Sequence, residues 1–318
     1  MNALVVGAGA VGQVFARHLQ QGGGEVTFLA RSSHLDRLRE GLTLYPLHRR
    51  QARSRPIRFD AFQVIVDPGQ VRARSWDQIY LCVPSTALRE DLLEPLSAAI
   101  GEATLVTIQP GLEDREAILR HFGESQVVAG MVSFVSYPAP LPGEAVPTPG
   151  IAYWFPPLLA TPFSGSPERA RAVVGSLRSG GFPARVHPDV PTLAAFVVAA
   201  QMCLTAGLEG VDWSFSRLRQ SPLLELGYAA LGEAVRVVGA YHSAEPPWPL
   251  RHLRVAMIRM LLRLAERINP FDLERFIAQH YTKLRGQTRL LFDAYIEQGR
   301  RRQLPTAALQ QLRQLLGA

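Results

Sequence analysis

Three glycines near the start of the chain have the spacing of a site that binds a nucleotide phosphate. They follow directly after the apolar run Asn2–Val6. The first permits a tight turn, the second lets the backbone approach a pyrophosphate, and the third allows a helix to pack closely on a strand. The alternative is a glycine-rich turn that binds nothing. The predicted phosphate-binding residues are Gly7, Ala8, Gly9, Ala10, Val11 and Gly12.

The elements around this motif are those that such a site needs. Residues 13–21 have helical character, Gly22-Gly23-Gly24 ends that helix, and Glu25–Leu29 has the composition of a second buried strand. The order strand, glycine turn, helix, strand within about thirty residues is that of the dinucleotide-binding unit. The N-terminus of its helix would face the phosphate charge.

The residues that end the second strand predict which dinucleotide binds. NAD-selective sites place Asp or Glu there to accept from the ribose 2′-hydroxyl. This chain has Arg31-Ser32-Ser33 instead. An arginine fork with neighbouring hydroxyls suits a 2′-phosphate. We therefore expect NADP(H), with Arg31 and Ser32 at the phosphate; the alternative is a surface arginine on a loop.

Further strands continue an α/β pattern up to about residue 187. Gln78–Val83 ends at Pro84, before a predicted helix at 87–100, and Thr104–Ile108 ends at Gln109. In a doubly wound sheet the loops after these strands lie at the carboxyl edge, so Pro84 and Gln109 are predicted beside the nicotinamide half of the cofactor. The proline-rich stretch 138–167, around a strand at 151–155, predicts a hairpin or lid.

From about residue 189 the hydrophobic period changes from two to 3.6 residues. The expected architecture is an N-terminal Rossmann-type doubly wound α/β domain, residues 1–187, and an all-helical domain for substrate binding or dimerisation, residues 188–318. The predicted helices are Thr192–Gly210, Leu223–Gly239, Leu250–Arg267, Asp272–Gly286, Thr288–Gly299 and Thr306–Leu316.

Composition restricts the remaining possibilities. The formal charge is +7, but the basic residues are dispersed apart from a cluster at Arg49, Arg50, Arg53, Arg55 and Arg58, which lacks interleaved aromatic residues. We therefore expect no nucleic-acid partner. Cys82 and Cys203 have no metal-ligand spacing and are predicted to be buried thiols in a reducing, cytoplasmic compartment. The uncharged segment 190–208 predicts a central bundle helix rather than a membrane span.

These residues together resemble ketopantoate reductases (2-dehydropantoate 2-reductases). The resemblance rests on the run 4–12, on Ala30-Arg31, on the Gln109-Pro110-Gly111 turn and on Leu304-Pro305 near the end of the helical half. It implies an NADPH-dependent reduction of a small 2-oxo acid in the cleft between the two domains. It also favours a homodimer.

The catalytic residues that the resemblance implies are missing. The family's acid lysine and its two asparagines fall at Ala194, Val198 and Met202. Its Asn-Gly pair is replaced by Pro110-Gly111, and a further lysine is replaced by Pro84. Its late carboxylate falls near Arg285 or Gly286. The chain has only one lysine, Lys283, and two asparagines, Asn2 and Asn269. If Ala194, Val198 and Met202 border the nicotinamide, they favour an apolar substrate moiety. The alternative is a helix face that is simply buried.

The remaining candidates for a proton donor or substrate anchor are His280, Lys283 and Gln287, a polar stripe at helical spacing. A stripe in solvent or hydrogen-bonded between helices is the competing interpretation. We expect an oxidoreductase that acts on a small ketone, 2-oxo acid or imine other than ketopantoate. A second hypothesis is a catalytically retired protein that binds NADP(H) as a sensor or structural ligand.

Overall fold

The computed structural model describes residues 1–48 and 55–317 of the chain. Part of the predicted basic cluster, Arg49, Arg50 and Arg53, lies outside the described residues. The chain forms two compact units, residues 1–109 with 114–191, and residues 110–113 with 192–318. The sequence pattern placed the boundary near residue 188 and did not predict that the short segment 110–113 joins the second unit.

The described residues of the first unit form two β-sheets. The larger has eight strands and the smaller has four. The strands are β1 (Asn2–Val6), β2 (Glu25–Leu29), β3 (Leu42–Pro46), β4 (Ile57–Phe59), β5 (Gln63–Ile65), β6 (Gln78–Leu81), β7 (Thr104–Thr107), β8 (Val127–Gly130), β9 (Val135–Ala139), β10 (Gly150–Trp154), β11 (Thr161–Ser164) and β12 (Ala184–Val186).

The larger sheet has the strand order β12-β11-β8-β7-β6-β1-β2-β5. All neighbours are parallel except β11 and β8. The order reverses between β1 and β6, because the chain runs outward from β1 through β2 to β5 and then returns to β6. Open α/β sheets bind ligands at the carboxyl ends of the strands at such a switch point. The predicted doubly wound α/β fold is confirmed.

The smaller sheet was not predicted. The strands β9 and β10 are antiparallel neighbours, as a hairpin requires, but β10 also pairs with β3, which in turn pairs with β4. The segment 138–167 therefore contributes β9 and β10 to the smaller sheet and β11 to the larger one, and it is not a free lid. Sequence patterning missed β3 and β4 because both are short and because β3 pairs with β10, more than a hundred residues later.

Helices cover the sheets of the first unit. They are α1 (Ala10–Gln21), α2 (Leu35–Arg39), α3 (Leu93–Ile100), α4 (Asp114–Leu119) and α5 (Pro167–Ser179). Phe15 on α1 is fully buried against Tyr80, Phe134 and Phe182, which fixes α1 on the sheet. The helix predicted from residue 87 starts later, because residues 85–89 form a 3₁₀ turn and α3 begins only at Leu93.

The second unit contains helices from residue 190 onward, as predicted. They are α6 (Val190–Glu209), α7 (Phe215–Gln220), α8 (Leu223–His242), α9 (Trp248–Arg251), α10 (Val255–Ile268), α11 (Leu273–Lys283), α12 (Arg285–Arg301) and α13 (Ala307–Leu315). The helix predicted over 250–267 is divided into α9 and α10, and α7 was missed because it has only six residues.

The helix α6 contains the uncharged segment noted in the sequence. It is the one helix in the described ranges long and apolar enough to cross a membrane by length and composition. Of its most apolar 18-residue window, 61% is buried. Phe196, Ala199 and Cys203 are among its fully buried side chains, and they pack with α8 and α12 in one cluster. This burial is the pattern of a bundle's core helix.

Candidate functional site

The glycine turn after β1 has the geometry of a phosphate cradle. Gly7 adopts a φ of +100°, and a Cβ there would lie 2.6 Å from the carbonyl oxygen of Cys82. A Cβ on Gly12 would lie 2.1 Å from the carbonyl oxygen of Gly7. Neither position can hold a side chain, since real Cβ atoms do not approach so closely. Both glycines are therefore required by the local packing.

Gly9 differs from the other two glycines. It is exposed, it precedes the first residue of α1, and a Cβ placed on it would meet nothing within 4 Å. The protein packing alone does not require glycine here. This open position lies at the N-terminus of α1, and the free N–H groups of a helix's first turn can bind a phosphate. The turn thus fits the dinucleotide that the sequence predicts.

A buried glutamine stabilises this turn from within. Gln13 on α1 is 2% exposed, and its Nε2 donates to the carbonyl oxygen of Ala8 at 2.8 Å. This bond satisfies a carbonyl in the turn that no sheet or helix partner reaches. Sequence reasoning missed Gln13, although a glutamine directly after a glycine motif and inside an apolar helix is an available signal.

Arg31 and Ser32 lie at the end of β2, as predicted. Arg31 is exposed and extended, and a short 3₁₀ helix at 32–34 begins directly after it. Within the described part of the chain, its guanidinium has no hydrogen bond or ion pair. Ser32 is also exposed. An exposed guanidinium beside a hydroxyl can bind a phosphate on the ribose.

The loop after β6 is held by a buried carboxylate. Asp114, at the start of α4, is 1% exposed and accepts from Ser85 Oγ at 2.5 Å and from Arg89 Nη1 at 2.5 Å. Arg89 also donates to the carbonyl oxygen of Ser85 at 2.7 Å. This network fixes the backbone just after Pro84, which itself is exposed. The sequence analysis missed this network, because no recognisable motif spacing connects Ser85 and Arg89 with Asp114.

Gln109 forms a second clamp at the same edge. Its Nε2 donates to the carbonyl oxygens of Leu81 and Val83 at 2.7 and 2.9 Å, and its Oε1 accepts from the N–H of Ile108 at 3.1 Å. Both amide hydrogens are therefore used within the protein. The prediction that Gln109 lies at the carboxyl edge of the sheet agrees with this position.

The three candidate catalytic residues lie in the second unit. His280 and Lys283 are in the last turn of α11, and Gln287 is in the first turn of α12, because the helix is interrupted at Leu284. The three residues thus lie on two successive helices, and their joint role as a polar stripe stays a prediction. Lys283 is exposed. Burial, and next the charge of Lys283, lower the pKa of His280 to about 4, so its imidazole is neutral near pH 7.

A tyrosine next to His280 was missed. The hydroxyl of Tyr281 accepts a hydrogen bond from Gln201 Nε2 and is also hydrogen-bonded to Thr205, both on α6. Its ring stacks on Trp213 at a centroid distance of 6.4 Å. Burial raises the pKa of Tyr281 to about 12, so the phenol stays protonated. The available signal was the pair Gln201 and Thr205, four residues apart in an otherwise apolar helix.

The positions aligned with the family's lysine and asparagines are buried and apolar. Ala194, Val198 and Met202 are 9%, 7% and 3% exposed. Arg285, at the position of the family's late carboxylate, forms an ion pair with Glu209 at the end of α6. In the described ranges of the chain, no group of three or more His, Cys, Asp or Glu side chains could hold a metal ion.

Comparisons with known proteins agree with this fold. Residues 3–146 match the model of the family described as ketopantoate reductase PanE/ApbA, so the resemblance predicted from the sequence is confirmed for this region. No curated protein sequence matches this chain. Several solved structures do match it over nearly its whole length.

A PanE/ApbA family ketopantoate reductase from Ralstonia eutropha JMP134 covers 99% of this chain and 97% of its own, with a TM-score of 0.75 and 19% identity. The 2-dehydropantoate 2-reductase from Geobacter metallireducens GS-15 covers 99% of both chains, with a TM-score of 0.72 and 15% identity. A D-mandelate dehydrogenase solved with NADH and anilino(oxo)acetate covers 99% of this chain and 97% of its own, with a TM-score of 0.75 and 14% identity. At these identities the likeness establishes the fold alone.

Proposed function

We propose that this protein is an NADP(H)-dependent oxidoreductase that reduces a small ketone, 2-oxo acid or imine. The observation that carries the proposal is the glycine turn at the switch point, in which Gly7 and Gly12 are required by packing and Gly9 is left open toward a ligand. The family match over residues 3–146 supports a nicotinamide cofactor, as do the solved relatives, one of which contains NADH.

The choice of NADP(H) over NAD(H) rests on Arg31. Its guanidinium is exposed at the position directly after β2. An NAD-selective site has a carboxylate at the end of this strand. A 2′-phosphate would accept from the guanidinium and from the hydroxyl of Ser32. NADH leaves this charge without a partner, and it is expected to bind more weakly.

The bound cofactor would supply the hydride, and this chain would bind, orient and protonate the substrate. Lys283 is the candidate proton donor or carboxylate anchor, since it is charged and exposed at the end of α11. His280 is neutral near pH 7, so it can form hydrogen bonds there but is not an imidazolium that could donate the proton. Gln287 could bind a substrate oxygen through its amide.

The substrate is proposed to differ from ketopantoate. Ala194, Val198 and Met202 carry no polar atom that could hold a hydroxylated acid. An apolar substituent on the carbonyl carbon fits such side chains better. The substrate panel should therefore include phenylglyoxylate and branched aliphatic 2-oxo acids beside ketopantoate. The location of the substrate between the domains and the homodimer, both implied by the resemblance, stay predictions.

A catalytically retired NADP(H)-binding protein is the second candidate function. The simultaneous loss of the family's lysine, asparagines and late carboxylate favours it.

We further propose a cytoplasmic location, in keeping with two free thiols at Cys82 and Cys203. We also propose that the protein has no nucleic-acid or membrane partner. Sedimentation equilibrium would measure the oligomeric state.

The test is a fluorescence titration with NADPH and NADH, for the wild type and for Arg31→Glu. We expect NADPH to bind the wild type more tightly, and the substitution to remove that preference. Equal affinity for both cofactors in the wild type would contradict the assignment of Arg31. Steady-state turnover of the substrate panel then separates the two functions. A ketopantoate-dependent rate near 1 s⁻¹ would contradict the substrate proposal, since that lies within the ordinary range of enzymes.

A further inference from the structure

Two glutamines clamp the backbone in the same way at opposite edges of the larger sheet, one where β6 ends and one where β7 begins. At the carboxyl end of β7, Gln109 Nε2 donates to the carbonyl oxygens of Leu81 and Val83 at 2.7 and 2.9 Å. At the amino end, Gln126 Nε2 donates to the carbonyl oxygens of Gly101 and Ala103 at 2.7 and 2.8 Å. Both side chains are half-buried. The two clamps differ in which edge of the sheet they hold.

The Gln109 clamp holds the backbone on which the phosphate turn packs. The residue between its two carbonyl partners is Cys82, whose N–H donates to the carbonyl oxygen of Val6 at 2.8 Å. The carbonyl oxygen of Cys82 lies 2.6 Å from the position of a Cβ on Gly7, and its own Cβ lies 3.3 Å from that of a Cβ on Gly12. Cys82 therefore lies closely against both glycines of the turn.

A glutamine is the residue that this clamp needs. Leu81 is the last residue of β6 and Val83 lies just beyond it, so the two carbonyls flank the point where the pairing of this strand ends. A primary amide has two N–H donors in one plane, which match the carbonyl oxygens of Leu81 and Val83. Its oxygen accepts from the N–H of Ile108. A carboxylate of the same length would face both carbonyl oxygens with negative charge, and an apolar side chain would leave them unsatisfied.

From this chain of contacts we infer that Gln109 is a positioning residue for the cofactor: it acts through Leu81, Cys82 and Val83 on the turn at Gly7 and Gly12, and sets the pyrophosphate and nicotinamide half of the site. Its side chain does not contact the cofactor, because its amide hydrogens are already used. The inference rests on the proposed NADP(H) binding and extends it to a residue that acts at a distance.

The test compares Gln109→Met with Gln126→Met. Both substitutions preserve length and remove two donors from a half-buried clamp, so they should lower the melting temperature similarly. We expect Gln109→Met to raise the Kd for NADPH about tenfold, the effect of losing roughly one to two net hydrogen bonds. Gln126→Met should leave that Kd within about twofold. Adenosine 2′-monophosphate, which has no 5′-phosphate and so ends before the pyrophosphate, should lose less than about threefold in Gln109→Met.

A second variant keeps the test decisive if Gln109→Met folds poorly. Gln109→His retains one ring N–H donor and should show an intermediate loss of NADPH affinity. Equal Kd changes in Gln109→Met and Gln126→Met, or equal losses for NADPH and adenosine 2′-monophosphate, would show a structural role only and overturn the inference. Failure of the wild type to bind NADPH would instead overturn the proposed function itself.

Discussion

A Cβ on Gly12 would lie 2.1 Å from the carbonyl oxygen of Gly7, whereas a Cβ on Gly9 would meet nothing within 4 Å. The glycines of one motif therefore serve two purposes. Gly7 and Gly12 let α1 pack against the end of β1. Gly9 keeps open the space in front of the helix that a pyrophosphate would occupy. Substitutions should separate these purposes.

Gly9→Ala should fold normally and bind NADPH poorly, because its methyl group occupies ligand space and not protein space. Gly12→Ala should be destabilised, since the backbone of Gly7 must move to admit the methyl group. Thermal denaturation and an NADPH titration of both variants measure the two effects. Normal NADPH affinity in Gly9→Ala would show that the open space is not the pyrophosphate site.

Replacing Glu233 should destabilise the helical unit. Glu233 on α8 is 8% exposed, and its Oε1 and Oε2 accept from the N–H groups of Ala308 and Leu309 at 3.2 and 2.9 Å, at the start of α13. A carboxylate at a helix N-terminus is favoured by the free N–H groups and by the helix dipole. We expect Glu233→Gln to lower the free energy of unfolding by about 1–3 kcal/mol.

The matched control for this substitution lies on the same helix. Glu225 is exposed and forms an ion pair with Arg259. Surface ion pairs of this kind contribute about 0–1 kcal/mol, so Glu225→Gln should have a small effect in urea denaturation. Similar losses from both substitutions would show that the bonds to α13 contribute no more than a surface pair.

Two histidines with lowered pKa values predict that the protein loses stability in mild acid. Burial lowers the pKa of His18 in the first unit, and burial lowers the pKa of His280 to about 4. The unfolded chain binds these protons near pH 6.5, so the stabilisation is complete above pH 6.5 and is lost as the pH falls toward 4. The free energy of unfolding should therefore decrease over this range.

His280→Gln should reduce this pH dependence, because one of the two titrating groups is removed. The measurement is urea denaturation at several pH values between 4 and 7. His252, which shows no comparable burial and is exposed, provides the control as His252→Gln. An unchanged slope in His280→Gln would mean that folding does not lower the pKa of His280.

Lys283 is the candidate whose removal should affect turnover and not cofactor binding. If its ammonium donates the proton, Lys283→Met should lower kcat by about 10²–10⁴-fold on the best substrate of the panel. The Kd for NADPH should stay unchanged, since Lys283 lies in the helical unit and not in the glycine turn. Unchanged kcat would remove Lys283 from the mechanism and leave Tyr281→Phe as the next variant to measure.

The sequence by itself determined the nucleotide turn and the class of fold. The motif at 7–12 is local: its strand, turn and helix are neighbours in the chain, so spacing and glycine content suffice to predict them. The same holds for Arg31 at the end of β2 and for most of α6, α8 and α13, whose periodicity is long enough to be recognised. The composition alone also showed that the family's lysine and asparagines are absent, because the chain has one lysine and two asparagines.

Only the tertiary structure decided which side chains act together. Asp114 meets Ser85 from 29 residues away, Gln109 meets Leu81 from 28, and Tyr281 meets Gln201 from 80. The smaller sheet joins β3 to β10 across more than a hundred residues. Such contacts depend on how strands and helices are arranged in space, and no local pattern encodes that arrangement. The tertiary structure also decided the protonation of His280, whose pKa is lowered by burial. It leaves Lys283 exposed to solvent.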